Sequence, residues 1–207
     1  MMDNNSIIII DYGLGNVRAF FNIFNQLGLP AKIVHKVEDL NDPFKIILPG
    51  VGSFDWAMNK LNSSGFRDKL DHFVLNDKVP VLGVCSGMQI MAKKSEEGES
   101  KGLGWIDAKV VKIYQSSGSS LPLPHMGWNK IKIINNNPLF TNINDPYYYF
   151  LHSYYVKLKN SSDIIANATY CDDFTVAFAK NSIFGTQFHP EKSHESGIQL
   201  LKNFASI

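Results

Sequence analysis

Pro80-Val81-Leu82-Gly83-Val84-Cys85-Ser86-Gly87-Met88-Gln89 is an apolar run that stops at a cysteine held between two glycines. Val79 to Val84 has no polar alternation, which predicts a strand buried on both faces of a parallel sheet. Gly87 to Lys94 reads as a helix. A cysteine at that junction sits on a sharp strand-to-helix turn, and Gly83-x-Cys85-x-Gly87 is the thiol form of a nucleophile elbow. The sulfur would project from the carboxyl edge of the sheet. The helix N-terminus would favour thiolate there, and free backbone N–H groups could receive an oxyanion. On these residues alone a buried structural cysteine remains the alternative.

Working outward, Ser6 to Asp11 reads as another continuous apolar strand, followed by a turn, Tyr12-Gly13-Leu14-Gly15-Asn16, that opens a helix. Val17, Phe20, Phe21, Phe24 and Leu27 fall at helical spacing, and Gly28 with Pro30 marks the stop. Gly13-x-Gly15 invites a dinucleotide-binding reading. Arg18 replaces the third glycine, however, and no acidic residue ends the next strand, Ala31 to His35, so that reading is set aside. Lys45 to Leu48 is a third strand, and Pro49-Gly50-Val51-Gly52 is a loop whose glycines let the amide between them turn. An ordinary βα turn is the bland alternative. Helical material follows from Ser53 to Asn76, broken near Ser63-Ser64-Gly65. Four βα units at this spacing predict a three-layer α/β fold around a mostly parallel sheet, in one domain spanning residues 1–207.

Beyond the elbow the texture changes. Trp105 to Ile113, Lys130 to Ile134, Tyr147 to Tyr155, Asp163 to Thr169, Phe174 to Ala179 and Ile183 to Phe188 read as strands joined by polar turns. They are expected as antiparallel pairs folded onto one edge of the sheet, with Gln115 to Ser120 a biased loop. The last strand runs into His189-Pro190-Glu191, where proline keeps His189 out of helix and holds the two side chains in an extended arrangement. A thiol needs a base, and that histidine needs an acceptor to set its tautomer. Cys85, His189 and Glu191 supply those three roles. A metal site built from Cys85, His189, Glu191 and His194 matches no usual zinc spacing, so no metal or other cofactor is expected.

Composition sets the outer bounds. The 207 residues carry 20 Lys plus Arg against 19 Asp plus Glu, a formal charge of +1, with no basic stripe to suggest nucleic acid or an anionic membrane as partner. Two cysteines, Cys85 and Cys171, cannot form a disulfide framework, which suits a reducing compartment such as the cytoplasm. Ile7 to Ile10 is too short for a signal segment or a membrane span.

Pro49-Gly50-Val51-Gly52, Gly83-Val84-Cys85-Ser86-Gly87-Met88-Gln89, Ser95-Glu96-Glu97-Gly98, Pro124-His125-Met126-Gly127-Trp128-Asn129 and His189-Pro190-Glu191-Lys192-Ser193 together resemble the successive motifs of the class I glutamine amidotransferases. The likeness runs over essentially the whole chain. The Pro-His-Met-Gly-Trp segment narrows it to the branch that feeds imidazole glycerol phosphate synthesis.

What the resemblance implies is a flavodoxin-like fold and hydrolysis of L-glutamine through a γ-glutamyl thioester on Cys85. His189 would carry the proton and Glu191 would orient it. Val51, Gly52 and Ser86 would form the oxyanion hole, Ser86 standing where family members usually carry leucine. Gly50, Gln89, Glu97, Ser153 and Tyr154 would hold glutamine. The resemblance also implies a heterodimer with a (β/α)8-barrel cyclase/synthase that takes the ammonia, contacted through Asn16, Met126, Trp128, Tyr149 and Lys192. Trp105 and His194 are similar instead to paralogues that serve amidino-sugar synthesis, and a non-catalytic flavodoxin-like module is the third possibility. The complete Cys85, His189 and Glu191 set argues against that last one.

Overall fold

The computed structural model describes residues 5–114 and 121–207. In chain order its elements are β1 (Ile7–Ile10), α1 (Val17–Gln26), β2 (Ala31–Val34), β3 (Lys45–Gly50), α2 (Phe54–Ser63), α3 (Arg67–Asp71), β4 (Val81–Cys85), α4 (Ser86–Gln89), β5 (Lys94–Ser95), β6 (Ala108–Lys112) and β7 (His125–Lys130). They continue with β8 (Lys132–Ile133), β9 (Tyr147–His152), β10 (Tyr154–Leu158), β11 (Ile164–Tyr170), β12 (Asp172–Lys180), β13 (Ile183–Thr186) and α5 (His194–Ser206).

An eight-stranded sheet in the order β2-β1-β3-β4-β13-β12-β11-β8 forms the centre. Its first five strands are parallel and the last three antiparallel. The unbroken apolar runs follow from burial on both faces. Ile8, Ile10, Ile46, Leu48 and Val81 pack with Phe54, Met58 and Leu61 of α2, whereas Ile7, Ile9, Ile47, Leu82 and Val84 meet Phe20 and Phe24 of α1 and Leu200, Leu201 and Phe204 of α5. The result is a three-layer flavodoxin-like α/β arrangement. Asn16 caps α1 by accepting the Ala19 N–H at 3.3 Å, and Gly28, at φ +68°, leads the chain out of it.

Four expectations need correction. The elbow helix is four residues long, Ser86–Gln89, rather than reaching Lys94. The carbonyls of Ile90, Met91 and Ala92 accept N–H groups from Leu103, Ile106 and Gly104, so the helical ladder ends and Lys94 enters β5. The later strands also do not all fold onto one edge. β13 runs parallel beside β4, and only β12, β11 and β8 extend the sheet antiparallel; β10-β6-β5 and β7-β9 are separate small sheets. Tyr147 to Tyr155 is two strands in different sheets, parted at Ser153, and the Trp105 to Ile113 strand starts only at Ala108. Trp105 is instead a buried anchor, its indole N–H donating to Asp71 Oδ1 at 2.6 Å. Gln115 to Ser120 lies outside the described residues.

Candidate active site

Cys85 closes β4 and opens α4 at φ +54° and ψ −115°, a conformation that costs a non-glycine residue energy and is held only by its surroundings. Glycine permits the packing around it. A Cβ on Gly87 would lie 2.0 Å from the Leu48 carbonyl oxygen, and one on Gly50 would lie 2.3 Å from the Gly87 nitrogen. The elbow therefore presses against the end of β3, where Gly50 pairs in register with Cys85. The Tyr12 hydroxyl braces the same end by donating to the Pro49 carbonyl at 2.8 Å, which gives the Gly13-x-Gly15 turn a structural purpose.

β13 brings the second half of the site. Its register with β4 puts Thr186 beside Val84, so the chain beyond it delivers His189 next to Cys85. The His189 N–H donates to the Tyr149 carbonyl at 2.9 Å, and the Ser193 hydroxyl donates to the His189 carbonyl at 2.5 Å. His189 Nδ1 lies 2.9 Å from Glu191 Oε1, with the two side chains only 3% and 2% exposed. Burial alone would lower the imidazole pKa. The charge and hydrogen bond of the Cys85 sulfur, with the Glu191 carboxylate behind, override it and raise the value to about 10. The arrangement favours an imidazolium between the Cys85 sulfur and the Glu191 side chain.

A cavity of about 310 Å³ opens over the sulfur. Of the residues named from sequence, Cys85, His189, Val51, Gly52, Ser86, Gln89, Glu97, Ser153 and Tyr154 line it, while Gly50 is packed beneath and Glu191 sits behind His189. The Ser86 N–H is the first of α4 and has no acceptor within the helix. Its hydroxyl donates to the Gly52 carbonyl at 2.6 Å, tying the loop at Gly52, φ +89°, to the elbow. Glu97 Oε2 accepts the Phe54 N–H at 2.8 Å and so caps α2 from the cavity wall. The carbonyl of Ser153 accepts from Ile113, and that of Tyr154 accepts from Gln89 Nε2 at 2.9 Å.

Sequence reading missed three contributors. Gln187 Nε2 lies 3.7 Å from the Cys85 sulfur, the Leu151 carbonyl lies 3.9 Å from it, and His152 lines the cavity. Gln187 shares strand parity with His189, a signal that was available; the other two depend on β9 folding over from 66 residues away. Met126, Trp128, Tyr149 and Lys192 gather on the outer side of β7-β9 and the Pro190–Lys192 turn. Met126 is 66% exposed, Trp128 stacks against His194 at 5.0 Å, and Lys192 Nζ lies 5.5 Å from the Tyr149 ring centroid. Asn16 is exposed at the N-terminus of α1, which packs near the Pro190–Lys192 turn.

The family model for glutamine amidotransferase class-I matches residues 8–207. The chain belongs to the class I glutamine amidotransferases. Among relatives of this family, the imidazole glycerol phosphate synthase subunit HisH of Leptospira interrogans is 51% identical, the match covering 96% of this chain and 98% of that one. HisH of Bdellovibrio bacteriovorus is 45% identical over 97% and 100% of the two chains, and HisH 2 of Pseudomonas aeruginosa 43% over 97% and 99%. Solved structures share the amidotransferase fold at low identity. One described as a glutamine amidotransferase superposes with a TM-score of 0.74 at 18% identity, covering 97% and 99% of the chains. Among the described residues of this amidotransferase no helix is long and apolar enough to cross a membrane, and no group of three or more His, Cys, Asp and Glu side chains is placed to hold a metal ion.

Proposed function

We propose that this chain is the glutaminase subunit of a cytoplasmic imidazole glycerol phosphate synthase, releasing ammonia from L-glutamine and passing it to a (β/α)8-barrel partner. The observation that carries the reading is the buried line of Cys85, His189 and Glu191 at the floor of a cavity large enough for one amino acid. The HisH relatives, matched over nearly their full length, support the acceptor. Cys85 attacks the side-chain amide carbon. The tetrahedral oxyanion takes N–H groups from Ser86 and from the Val51–Gly52 segment, and His189 gives its proton to the departing ammonia. Water then hydrolyses the thioester, His189 taking the water's proton as general base.

The loop supplies control. Val51 is 39% exposed between two glycines, so its amide can turn at little steric cost. An amide facing away leaves the oxyanion one donor short, worth roughly 3 kcal/mol or on the order of 10² in rate. Docking of the synthase over Met126, Trp128, Tyr149 and Lys192, with acceptor bound, turns that amide inward and raises the turnover number more than it lowers the Michaelis constant. The test is glutamine kinetics on the chain alone, with its genomic-neighbour synthase, and with acceptor ligand added, while imidazole glycerol phosphate is followed as product. Full activity in the isolated chain, unchanged by the synthase, refutes the gating and the partnership; stimulated ammonia release without that product refutes the acceptor.

A further inference from the structure

Behind the cavity a set of polar side chains runs from β7 to the nucleophile, with every partner assigned by chemistry. His152 Nδ1 lies 2.8 Å from the Tyr154 carbonyl, which can only accept, so Nδ1 carries hydrogen. In the neutral ring Nε2 is then an acceptor. It faces His125 Nδ1 at 3.1 Å, which must therefore donate, leaving His125 Nε2 to accept from Asn129 Nδ2 at 3.3 Å. Asn129 Nδ2 also donates to the Thr169 carbonyl at 3.0 Å. Both rings are buried, and desolvation lowers their pKa values to about 4 for His125 and about 3 for His152, so both stay neutral at working pH.

The Tyr154 carbonyl is the meeting point. It accepts a second N–H, from Gln89 Nε2 at 2.9 Å, whose other hydrogen goes to Gln187 Oε1 at 3.0 Å. With Oε1 taken, Gln187 is oriented to present Nε2 to the Cys85 sulfur at 3.7 Å. Gln187 is fully buried and Gln89 4% exposed, so neither amide has bulk water as a substitute partner. The two hydrogens of Gln89 being engaged, the group it offers the cavity is its carbonyl Oε1, an acceptor for an N–H of a bound substrate.

We infer that Gln187 is a further catalytic residue, an amide donor to the Cys85 sulfur, and that the buried His125–His152 pair is a positioning unit that fixes the orientation of Gln89 and Gln187. This rests on the glutaminase reading above and adds to it residues outside the Cys85, His189 and Glu191 line. The nucleophile is the thiolate, and deleting the amide donor withdraws a hydrogen bond that favours that form of the sulfur, a loss of roughly ten- to a hundredfold. His125 acts at one remove. It is stacked between Phe150 at 4.7 Å and Tyr170 at 4.1 Å, so His125→Phe keeps the packing while removing the donor to His152.

The experiment measures alkylation of Cys85 by iodoacetamide, glutamine kinetics with the synthase, and thermal melting. It compares Gln187→Met, Gln187→Glu and His125→Phe with the parent. The two Gln187 substitutions delete the donor by different means, one apolar and one charged. Both should slow alkylation and lower the turnover number by about ten- to a hundredfold, with the Michaelis constant nearly unchanged. His125→Phe should raise the Michaelis constant through Gln89 and slow alkylation by a smaller factor. Parental alkylation in either folded Gln187 variant overturns the inference, as does a His125→Phe variant with parental kinetics. Activity lost only in step with melting temperature, at unchanged alkylation, also overturns it. A parent that releases no ammonia with any synthase would instead refute the glutaminase reading, while the alkylation rates would still decide the sulfur contact.

Discussion

Glu191→Gln removes one charge while keeping the shape of the side chain, and the new amide can face the imidazole in two ways. Glu191 Oε1 holds His189 Nδ1 at 2.9 Å, whereas Oε2 is buried with no hydrogen-bond partner among the described residues. If the amide oxygen keeps facing Nδ1, the bond survives and only its charge assistance is lost. If the amide instead turns its nitrogen toward Nδ1, that ring atom must become an acceptor and the imidazolium of the parent is lost. The one remaining ring hydrogen then sits on the nitrogen that should take the thiol proton. Simple weakening of a charge-assisted bond to a neutral one would cost about 1–1.5 kcal/mol, or about tenfold; a wrong tautomer in a triad costs about 10⁴-fold. We expect a fall in turnover of about tenfold if the oxygen stays and about 10³-fold or more if the amide turns, measured as ammonia release at saturating glutamine with the synthase present. His189→Asn, which deletes the proton carrier, should fall further. Turnover in Glu191→Gln within about threefold of the parent, with His189→Asn inactive, would refute the tautomer reasoning and leave a Cys-His dyad with Glu191 structural.

The pH profile follows from the same contacts. His189 has its pKa raised from 6.5 to about 10, so the imidazolium persists at every pH below that and is lost only as pH rises through it. The kcat/KM profile should therefore lack a limb near the ordinary histidine value and fall on the far alkaline side, and Glu191→Gln should move that alkaline limb down; a limb near 6.5 in the parent would contradict the raised His189 value. Gly87→Ala should be strongly destabilising, because its Cβ would meet the backbone of Leu48 at 2.0 Å and overpacking of this kind costs about 1–3 kcal/mol or more. Urea unfolding with an unchanged midpoint would show that the elbow has room for a methyl group.

The central strands and the placing of Cys85, His189 and Glu191 together were legible because their chemistry is local. Ile7–Ile10 and Val81–Cys85 are apolar without alternation, which only burial on both faces explains, and His189-Pro190-Glu191 carries its own backbone restriction. What was not legible depended on distant partners. The short elbow helix ends because Leu103, Gly104 and Ile106 take its next carbonyls, and nothing in Ile90 to Lys93 announces that. β7 begins just after a proline and carries only polar or exposed residues after His125, so its pairing with β9 has no periodic signal. The roles of His125 and His152 arise from that pairing, which sets them directly opposite each other.

The most direct test of the account is the fate of Cys85 itself. The parent chain, its synthase and L-glutamine are mixed, quenched in acid, and mapped by mass spectrometry for a γ-glutamyl thioester, in parallel with Cys85→Ala and Cys171→Ser. The account predicts the adduct on Cys85 alone, no ammonia release in Cys85→Ala, and parental turnover in Cys171→Ser, since Cys171 sits at the β11–β12 turn away from the cavity. Ammonia release by Cys85→Ala at the parental rate, or an adduct on Cys171, would contradict it.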